Sequence, residues 1–420
     1  MTNDDYLTYY KLNLMVIVKE KTILNINQSD IVSLAIVNNY DTKTYPMIRL
    51  RLFTDITFLQ ALTDAPDELR LAGTIDGGIY RLIPNETPVI VSPTQSINLS
   101  MKVYIEYKNT PTSKMDKYVN GMPRTTDGSL NVNNKVPVEL YCYNYDLIHR
   151  MNDRPQSVYK NMNLSTIISS MMDRIKITDY QIDMIRNQKR YDQVLIPNLS
   201  MLDTLSFFDI TYGLYPKGGS IFGSIDKLYI CNLDSNNGTH PLPIYVKSYK
   251  NNSGTSGMMK IGGSYFMQTE SSSVSVLSES DIEKVLTSET LVSTNVNTLS
   301  IDKENLPALK ESMHSNNGLI TPTQIDNISP ELILHKTPND YVASAAAARI
   351  NEKITKIDVS GNGFDITKFT PNARYNLIFD SPIRGINMAD SYRASYVCNI
   401  LSPSSQELFT STTTMTLCKN

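Results

Sequence analysis

The chain has 420 residues, of which 41% are hydrophobic and 19% charged, so it is long enough for two or three domains and too apolar for a disordered protein. The net charge is −3 and no block of Lys and Arg exceeds two residues, which argues against a dedicated nucleic-acid surface. No apolar run approaches the roughly 18 residues of a membrane-spanning helix, and the acidic N-terminus is unlike a signal peptide.

The first part of the chain, residues 1–147, alternates apolar and polar residues with a period of two. This alternation recurs over residues 31–37, 46–53, 100–107 and 136–142, and Gly, Pro, Asn and Asp interrupt it between the segments. The period predicts antiparallel strands with one buried face, arranged as a small sandwich or barrel. The predicted buried faces hold Ile48, Leu50 and Leu52, then Met101, Val103 and Ile105, and then Val136, Val138, Leu140 and Cys142.

A polar segment at residues 108–135 interrupts this β pattern and is rich in turn-forming residues. It is predicted to be a long hairpin loop or an excursion from the domain. Loops of this length inside a compact domain are usually functional or mobile. No motif in the segment indicates which role it has.

The pattern changes over residues 148–240, which are predicted to form an α/β domain. Apolar residues at helical spacing predict its first helix. In the second helix, Ser200 begins an S-x-x-D capping pattern, and Gly213 ends the helix because glycine enters the left-handed conformation at little cost. Two strands are predicted after it, at residues 214–215 and 228–231. The apolar stripe of the first helix is Leu164, Ile167, Ile168, Met171, Met172 and Ile175.

Strand patterns return in residues 241–420, which are predicted to form a second β domain. The predicted strands cover residues 244–249, 258–268, 354–359, 374–379 and 392–400. The Ser/Thr-rich tail from residue 402 is compatible with a closing strand. In the strand over residues 392–400, the alternation places five residues on one face: Tyr392, Ala394, Tyr396, Cys398 and Ile400.

Residues 271–339 are polar and weakly periodic, so they are predicted to be an insertion in the second β domain. The insertion would pack loosely on the surface or extend as a mobile arm. Asp340 then caps a predicted short helix that runs through residues 343–350. The predicted fold class is therefore α+β and mainly β, with two β domains on either side of an α/β insertion.

Histidines do not form a metal-binding pattern in this sequence. None of His149, His240, His314 and His335 has a partner at the H-x-H or H-x-x-x-H spacing, so a metal site would need distant ligands. The run from Asp234 to Gly238 resembles the start of a calcium loop. Its glycine comes one position early and no glutamate closes the loop, so a turn is predicted.

Nucleophilic chemistry has one candidate pair, Cys142 with His149, but a core thiol beside a surface imidazole is the favoured interpretation. The four cysteines, Cys142, Cys231, Cys398 and Cys418, are scattered without a C-x-x-C pair, which predicts buried reduced thiols. Acidic residues are plentiful, but none cluster with aromatic residues as in a sugar-binding cleft, and the chain has no tryptophan. No catalytic, cofactor-binding or metal-binding residue is predicted.

Three parts of the chain resemble the baseplate hub proteins of contractile-tailed bacteriophages, a family of tube-like tail hubs. The run IVSLAIVNNYDTKTYPMIRLRL, at residues 31–52, resembles the first strands of their tube-like barrel. The run LSMLDTLSFFDITYGLYPKGGSIFGSIDKLYICN, at residues 199–232, resembles the helix-to-strand part of their insertion. The runs FTPNARYNLIFDSP and SYRASYVCNIL, at residues 369–382 and 391–401, resemble their closing strands.

The resemblance implies two tube-like antiparallel β-barrel domains, at residues 1–147 and 241–420. It also implies a homotrimer, in which three copies supply six similar barrels between a sixfold tail tube and a threefold central spike. The implied partners are the tail tube protein, the central spike protein and other baseplate proteins. DNA would pass through the lumen without specific binding, and no membrane partner is expected. Such a protein belongs to the tail baseplate of the virion and is made in the host cytoplasm.

The leading hypothesis is therefore a structural virion protein without enzymatic activity. A tail-associated peptidoglycan or polysaccharide hydrolase is a second hypothesis, which the lack of a carboxylate cluster disfavours. A third is another tail adaptor or a receptor-binding protein, whose contact surface would be the polar segments at residues 108–135 and 271–339.

Overall fold

The computed structural model describes residues 6–18, 21–40, 47–55, 58, 69–81, 89–94, 96–104, 135–215, 218–225, 227–232, 244–248, 257–261, 264–269, 271–276, 292–295, 300–301, 333–335, 355–370, 373–379, 391–404 and 408–419. The polar segment predicted at residues 108–135, except Lys135, and the helix predicted at residues 343–350 lie outside the described residues.

The elements follow the predicted order of a β region, an α/β region and a second β region. The first region holds β1 (Tyr6–Val18), β2 (Lys21–Ile26), β3 (Ile31–Asn39), β4 (Met47–Thr54), β5 (Leu69–Arg81), β6 (Val89–Pro93), β7 (Ile97–Tyr104) and β8 (Val136–Tyr143). The α/β region holds α1 (Tyr145–Met151), β9 (Ser157–Asn163), α2 (Leu164–Arg174), β10 (Tyr180–Ile182), β11 (Arg190–Ile196), α3 (Met201–Thr211), β12 (Gly219–Gly223) and β13 (Leu228–Asn232). The last region holds β14 (Ile244–Ser248), β15 (Gly257–Ile261), β16 (Ser264–Thr269), β17 (Ser271–Val276), β18 (Val292–Asn295), β19 (Ser300–Ile301), β20 (Ile333–His335), β21 (Thr355–Asn362), β22 (Tyr375–Phe379), β23 (Ser391–Pro403) and β24 (Phe409–Lys419). Among the described residues, Gln28–Asp30 and Ile366–Lys368 form short 3-10 turns.

Eight antiparallel strands close on themselves into a ring. Around it the order is β23, β3, β4, β8, β7, β5, β1 and β24, and β24 pairs with β23 to complete the circle. Six of these strands come from the first β region, but the last two come from the C-terminal end of the chain. The first β region therefore closes only with the help of residues almost 400 positions away.

The interior of the ring is a packed apolar core, as the period-two alternation predicts. In β4, Ile48, Leu50 and Leu52 are buried, whereas Arg49 and Arg51 lie on the outer face. Met101, Val103, Leu140 and Cys142 are buried in β7 and β8, and Val138 packs against the same core. The ring is thus a filled barrel, and not a pore.

The hairpin of β23 and β24 also belongs to the second β region. Beyond the ring, β23 pairs with β22 and β24 pairs with β21, which gives the strand order β15, β16, β14, β22, β23, β24, β21 and β17. The closed ring and this open path of the second β region therefore each contain eight strands, and they share the hairpin of β23 and β24. A single cluster of buried apolar residues fills the ring and continues into the second region.

Two details of the second β region differ from the prediction. The region is not purely antiparallel, because β14 pairs in parallel with both β16 and β22. Parallel neighbours need long crossover connections, and the chain leaves and re-enters this sheet several times. In addition, the predicted polar insertion at residues 271–339 begins with β17, which is part of the main sheet and pairs with β21. The small sheet of β18, β19 and β20 also lies within that range.

The alternation predicted for residues 392–400 is wrong beyond Ala394. The pairing of β23 with β24 shifts between Ala394 and Tyr396, so that Ser395 is an extra residue in β23. A bulge of this kind moves the side chains that follow it to the other face. Tyr392 and Ala394 are buried in the main core as predicted, but after the bulge Val397 and Leu401 enter that core, whereas Cys398 is buried outside it. Ile400 is 36% exposed.

The α/β region has a core of its own. The five residues Leu164, Ile167, Ile168, Met171 and Met172 of α2 are fully buried in it, as the helical stripe predicts. Asn163 caps α2, because its side chain accepts a hydrogen bond from the Thr166 N–H at 2.9 Å. Within the described residues, no helix combines the length and apolar character needed to cross a membrane.

The capped helix α3 is confirmed. The Ser200 Oγ accepts a hydrogen bond from the Asp203 N–H at 3.1 Å, and Gly213 has a φ of 70° directly after the helix. The strand predicted at residues 214–215 is wrong. The N–H of Leu214 donates to the carboxylate of the buried Asp209 and not to a neighbouring strand. The hairpin is formed by β12 and β13, the first of which begins only at Gly219.

Candidate functional site

A buried tyrosine of the ring binds a turn that belongs to the second β region. The Tyr10 phenol donates a 2.7 Å hydrogen bond to the carbonyl of Phe364 and accepts a 2.9 Å hydrogen bond from the N–H of Ile366. The Ser411 hydroxyl, from β24, donates to the same Phe364 carbonyl at 2.8 Å. Burial raises the pKa of Tyr10 well above its ordinary value, and the nearby Asp365 carboxylate raises it further. The phenol therefore remains a protonated donor at neutral pH.

The turn that Tyr10 holds is defined locally by its own sequence. Gly363 has a φ of 71°, a conformation that favours glycine, and its N–H donates to the Ser411 carbonyl at 2.8 Å. The Asp365 carboxylate then accepts hydrogen bonds from the N–H of Thr367 at 3.1 Å and from its hydroxyl at 2.6 Å. This side-chain cap starts the 3-10 turn Ile366–Lys368.

A second tyrosine, Tyr40, joins the same turn to the α/β region. It follows β3, and its phenol donates a 3.1 Å hydrogen bond to the carbonyl of Phe369. The ring of Tyr40 packs on Phe222 with centroids 4.8 Å apart, and Phe222 stacks on Tyr229 at 5.4 Å. The Tyr40 N–H donates to the carbonyl of the bulged Ser395 at 2.8 Å. Tyr40 therefore contacts all three regions of the chain.

We call Tyr10, Tyr40 and the turn over residues 363–369 the tyrosine junction. Both phenols are used to bind main-chain carbonyls across the boundaries between regions. Hydrogen bonds of this kind, in a buried setting, are costly to break because each leaves an unsatisfied polar group. The junction therefore joins the ring, the second β region and the α/β region through buried contacts.

The outer face of the ring carries a charged group centred on Glu139 of β8. The Glu139 carboxylate forms ion pairs with Arg49 and with Arg51 of the neighbouring β4, the second at 2.9 Å. Partial burial acts to raise the pKa of Glu139, but the hydrogen bonds from both arginines outweigh it and lower the pKa. Arg49 also lies over the ring of Tyr141, 5.8 Å from its centroid. These ion pairs join β4 and β8 on the outer face of the ring.

A polar cleft of about 320 Å³ lies where the α/β region meets the ring. Asn98 and Ser100, on the outer face of β7, form one wall, and Asn144 and Arg150 of the α1 segment form the other. The Asn144 side chain is already engaged, because its carbonyl caps α1 and its amide donates to the Ile225 carbonyl at 3.1 Å. The cleft marks the contact between the two regions.

The candidate nucleophilic pair of the sequence, Cys142 and His149, does not come together in the structure. Cys142 is fully buried in the ring core, where burial raises the pKa of its thiol, whereas His149 is exposed on α1. All four cysteines are buried and carry free thiols. His240, His314 and the run from Asp234 to Gly238 lie outside the described residues. Among the residues that are described, no group of three His, Cys, Asp or Glu could hold a metal ion.

Sequence reasoning missed both junction tyrosines. A signal for Tyr10 was present, because it occupies the inward phase of the alternation that continues with Leu12, Leu14 and Val16. A buried tyrosine usually needs a hydrogen-bond partner for its hydroxyl. The identity of that partner could not be read from the sequence, since it lies more than 350 positions away.

Comparison with known proteins gives a family match over nearly the whole chain. The model of the family described as Bacteriophage PBS1 gene 109 protein matches residues 7–419. No curated protein matches the sequence with significance.

Solved structures of three tail proteins are similar to this chain. The tail protein from Neisseria meningitidis MC58 has 10% identity and a TM-score of 0.50, with 98% of this chain and 97% of that chain covered. The prophage MuSo2 43 kDa tail protein from Shewanella oneidensis has 9% identity and a TM-score of 0.48, with 96% of each chain covered. The prophage tail protein gp18 from Listeria monocytogenes EGD-e has 8% identity and a TM-score of 0.42, with 97% and 94% covered. The similarity to the Neisseria structure shows that the two chains share a fold.

Proposed function

This chain belongs to the Bacteriophage PBS1 gene 109 protein family, and from that premise we propose that it is a structural, non-enzymatic protein of the phage tail, the hub of the baseplate. Its role is to join a sixfold tail tube to a threefold central spike. Three copies assemble into a ring around a channel. The fold that the chain shares with the Neisseria tail protein supports a place in the tail.

The observation that carries this proposal is the shared hairpin of β23 and β24. It gives one chain a closed ring of eight strands and a second path of eight strands, joined through a continuous core. Two comparable β-barrel domains in one chain allow three copies to present six similar positions to a sixfold partner and three to a threefold partner. Closing the second region into a barrel would also leave fewer free sheet edges. Among the described residues β16 and β21 come near each other, but no strand pairing joins β15 or β16 to β17 or β21.

Rigidity is what such an adaptor needs, and the tyrosine junction supplies it. A hub transmits force between tube and spike, so its two β regions have to keep a fixed relation to each other. Tyr10 and Tyr40 tie the ring to the turn of the second region by buried hydrogen bonds. We assign the channel to the space between copies, because the interior of the ring is filled. DNA passes through that channel without sequence-specific contacts.

The proposed partners are a tail tube protein, a central spike protein and other baseplate proteins, and the proposed location is the baseplate of the virion. The similar Neisseria structure is a tail protein and names no partner. The partners are therefore proposed from the family resemblance. No feature of the described residues favours a hydrolase over this structural role.

The mass of the purified protein in solution tests the proposal. Light scattering coupled to gel filtration is expected to give three times the 47.3 kDa of one chain. A stable 47.3 kDa species up to the highest soluble concentration would contradict the trimer. Zymography on cell-wall substrate separates the hydrolase alternative, and a cleared zone with the purified chain would overturn the non-enzymatic assignment.

A further inference from the structure

The strand β6 is an exposed edge of the first β region. It pairs with β5 over Gly78–Arg81 and with no other strand among the described residues. Three consecutive apolar residues of β6 are open to solvent, since Val89 is 51%, Ile90 54% and Val91 57% exposed. Val89 and Ile90 point to opposite faces of the strand. β6 is therefore accessible on both faces as well as along its outer edge.

The inner side of β6 is anchored to the ring. Tyr80 of β5 is directly paired with Ile90, and the ring of Tyr80 packs edge-on against the ring of Tyr9 of β1 with centroids 5.4 Å apart. An anchored strand loses little conformational entropy when a partner binds it. Pro93 has no N–H to donate, so the positions that can pair with a further strand are Val89–Ser92.

The sequence of β6 lacks the usual protection of a strand edge. Natural proteins place charged residues on unpaired edges, because such an edge can pair with another chain. Among the described residues, four strands of the main sheet pair with a single neighbour: β2, β6, β15 and β17. β2 contains Lys21 and β15 contains Lys260, whereas β6 (VIVSP) and β17 (SSSVSV) contain no charged residue. β6 and β17 are therefore the two edges of the described main sheet without a charge.

The proposed hub determines which regions meet between copies. In a ring of three copies the two β regions alternate, so each first region lies between the second region of its own chain and that of a neighbouring copy. Within one chain the two regions meet at the shared hairpin of β23 and β24. Between chains a first region has to meet a second region, and β6 belongs to the first and β17 to the second.

We propose that β6 pairs with β17 of a second copy of this chain. The two edges have similar lengths, five residues in β6 and six in β17. Such a pairing adds a strand to the sheet of the neighbouring copy, held by main-chain hydrogen bonds and by apolar contacts of Val89–Val91. The contact is head to tail, so three identical contacts close the ring and leave neither edge unpaired. The inference rests on the proposed trimer and names the strands that join its copies.

Cross-linking of engineered thiols tests this pairing directly. The four native cysteines are buried, so the double variant Ile90→Cys, Ser273→Cys gives each chain one thiol on β6 and one on β17. A short bis-maleimide is expected to join these chains into covalent dimers and trimers on a denaturing gel. Each single variant is expected to stay monomeric on the gel, because a head-to-tail contact brings β6 against β17 and not against another β6.

The matched control for the cross-link is Ile90→Cys, Leu195→Cys. Leu195 of β11 is 62% exposed but lies in the α/β region, outside the proposed contact. This variant also has two accessible thiols in each chain, and it is expected to give no covalent trimer.

A charge on the edge tests the same contact by a second route. Val91→Lys would place an ammonium group on an uncharged edge, and it is expected to weaken the trimer at least about tenfold because the charge loses water when the strands pair. Leu195→Lys is the control and is expected to leave the mass in solution unchanged. Both positions are exposed, so the two variants should unfold at similar urea concentrations.

The outcomes separate this inference from the proposed function. A trimer by light scattering without cross-links in the Ile90→Cys, Ser273→Cys variant would overturn the pairing and leave the proposed function intact. A trimer that Val91→Lys weakens no more than Leu195→Lys would do the same. Covalent dimers from Ile90→Cys alone would place two copies of β6 together and also overturn the inference. A monomer at every concentration would overturn both the pairing and the trimer.

Discussion

The hydroxyl of Tyr10 donates a 2.7 Å hydrogen bond to the main-chain carbonyl of Phe364, which lies 354 positions later in the chain. The same hydroxyl accepts from the N–H of Ile366, so one side chain satisfies a donor and an acceptor of the turn. β1 is the first strand of the ring, and the turn follows β21 of the second β region. The relation between the two regions is therefore fixed by a bond between opposite ends of the sequence.

Tyr10→Phe is expected to destabilise the protein by about 1–3 kcal/mol, the cost of an unsatisfied buried polar group. The Phe364 carbonyl would keep its bond from Ser411, but the Ile366 N–H would lose the Tyr10 acceptor. Urea unfolding measures the change. Tyr9→Phe is the control, because Tyr9 packs its ring on Tyr80 outside the junction and the substitution keeps that ring. Equal stability of the two variants would show that the junction bonds contribute nothing.

Gly361→Ala is expected to destabilise the protein by about 1–3 kcal/mol through overpacking. A Cβ at this position in β21 would lie 2.4 Å from the Cζ of Phe364, which is a buried residue of the junction. Thermal or urea unfolding measures the cost. If the clash is the cause, the double variant Gly361→Ala, Phe364→Leu will be less destabilised than the sum of its single variants. Additive losses would point to a different cause.

Asp209→Asn is expected to cost about 1–3 kcal/mol, because an amide nitrogen would replace one of two buried acceptor oxygens. The Asp209 carboxylate accepts from the N–H groups of Leu214, at 3.4 Å, and Gly219, at 3.1 Å, and so shapes the loop between α3 and β12. Asp203→Asn, at the exposed start of α3, is the control and should cost less. A larger loss from the Asp203 change would contradict this role of Asp209.

Glu139→Gln is expected to make the free energy of unfolding fall less steeply as the pH is lowered into the acid range. Because the pKa of Glu139 is lowered in the folded state, the contribution of this carboxylate is present above its unfolded value of about 4.3 and disappears as the pH falls through the folded value. The group is partly exposed, so the difference at pH 7 should stay below about 1 kcal/mol. Unfolding curves between pH 2 and pH 7, repeated at high salt, measure the difference. If the variant and the native protein differ in the free energy of unfolding by the same amount at low pH as at pH 7, the ion pairs with Arg49 and Arg51 are not the source of the difference.

Local patterns predicted the elements that depend on local physics. The alternation of Ile48, Leu50 and Leu52 and the cap at Ser200 were both correct, because a strand face and a helix start are set by neighbouring residues. The resemblance to a bacteriophage protein family is confirmed by the match over residues 7–419. The division of the chain at residues 147 and 240 into three domains remains a prediction.

The errors arose where distant parts of the chain decide the local structure. The bulge at Ser395 is stabilised by the Tyr40 N–H, which comes from the residue after β3, and no period in residues 392–400 could reveal it. Leu214 is not in a strand because its N–H donates a hydrogen bond to the carboxylate of Asp209 instead of to a neighbouring strand. The parallel pairs of β14 depend on long connections, and the tyrosine junction joins the two ends of the sequence.

Electron microscopy of the purified protein in negative stain tests the central claim most directly. The account predicts a ring with threefold symmetry, a central hole and six similar densities around it, two from each copy. A ring with any other symmetry, or particles with three densities and no pseudo-sixfold arrangement, would contradict the claim that one chain supplies two comparable β domains to a hub.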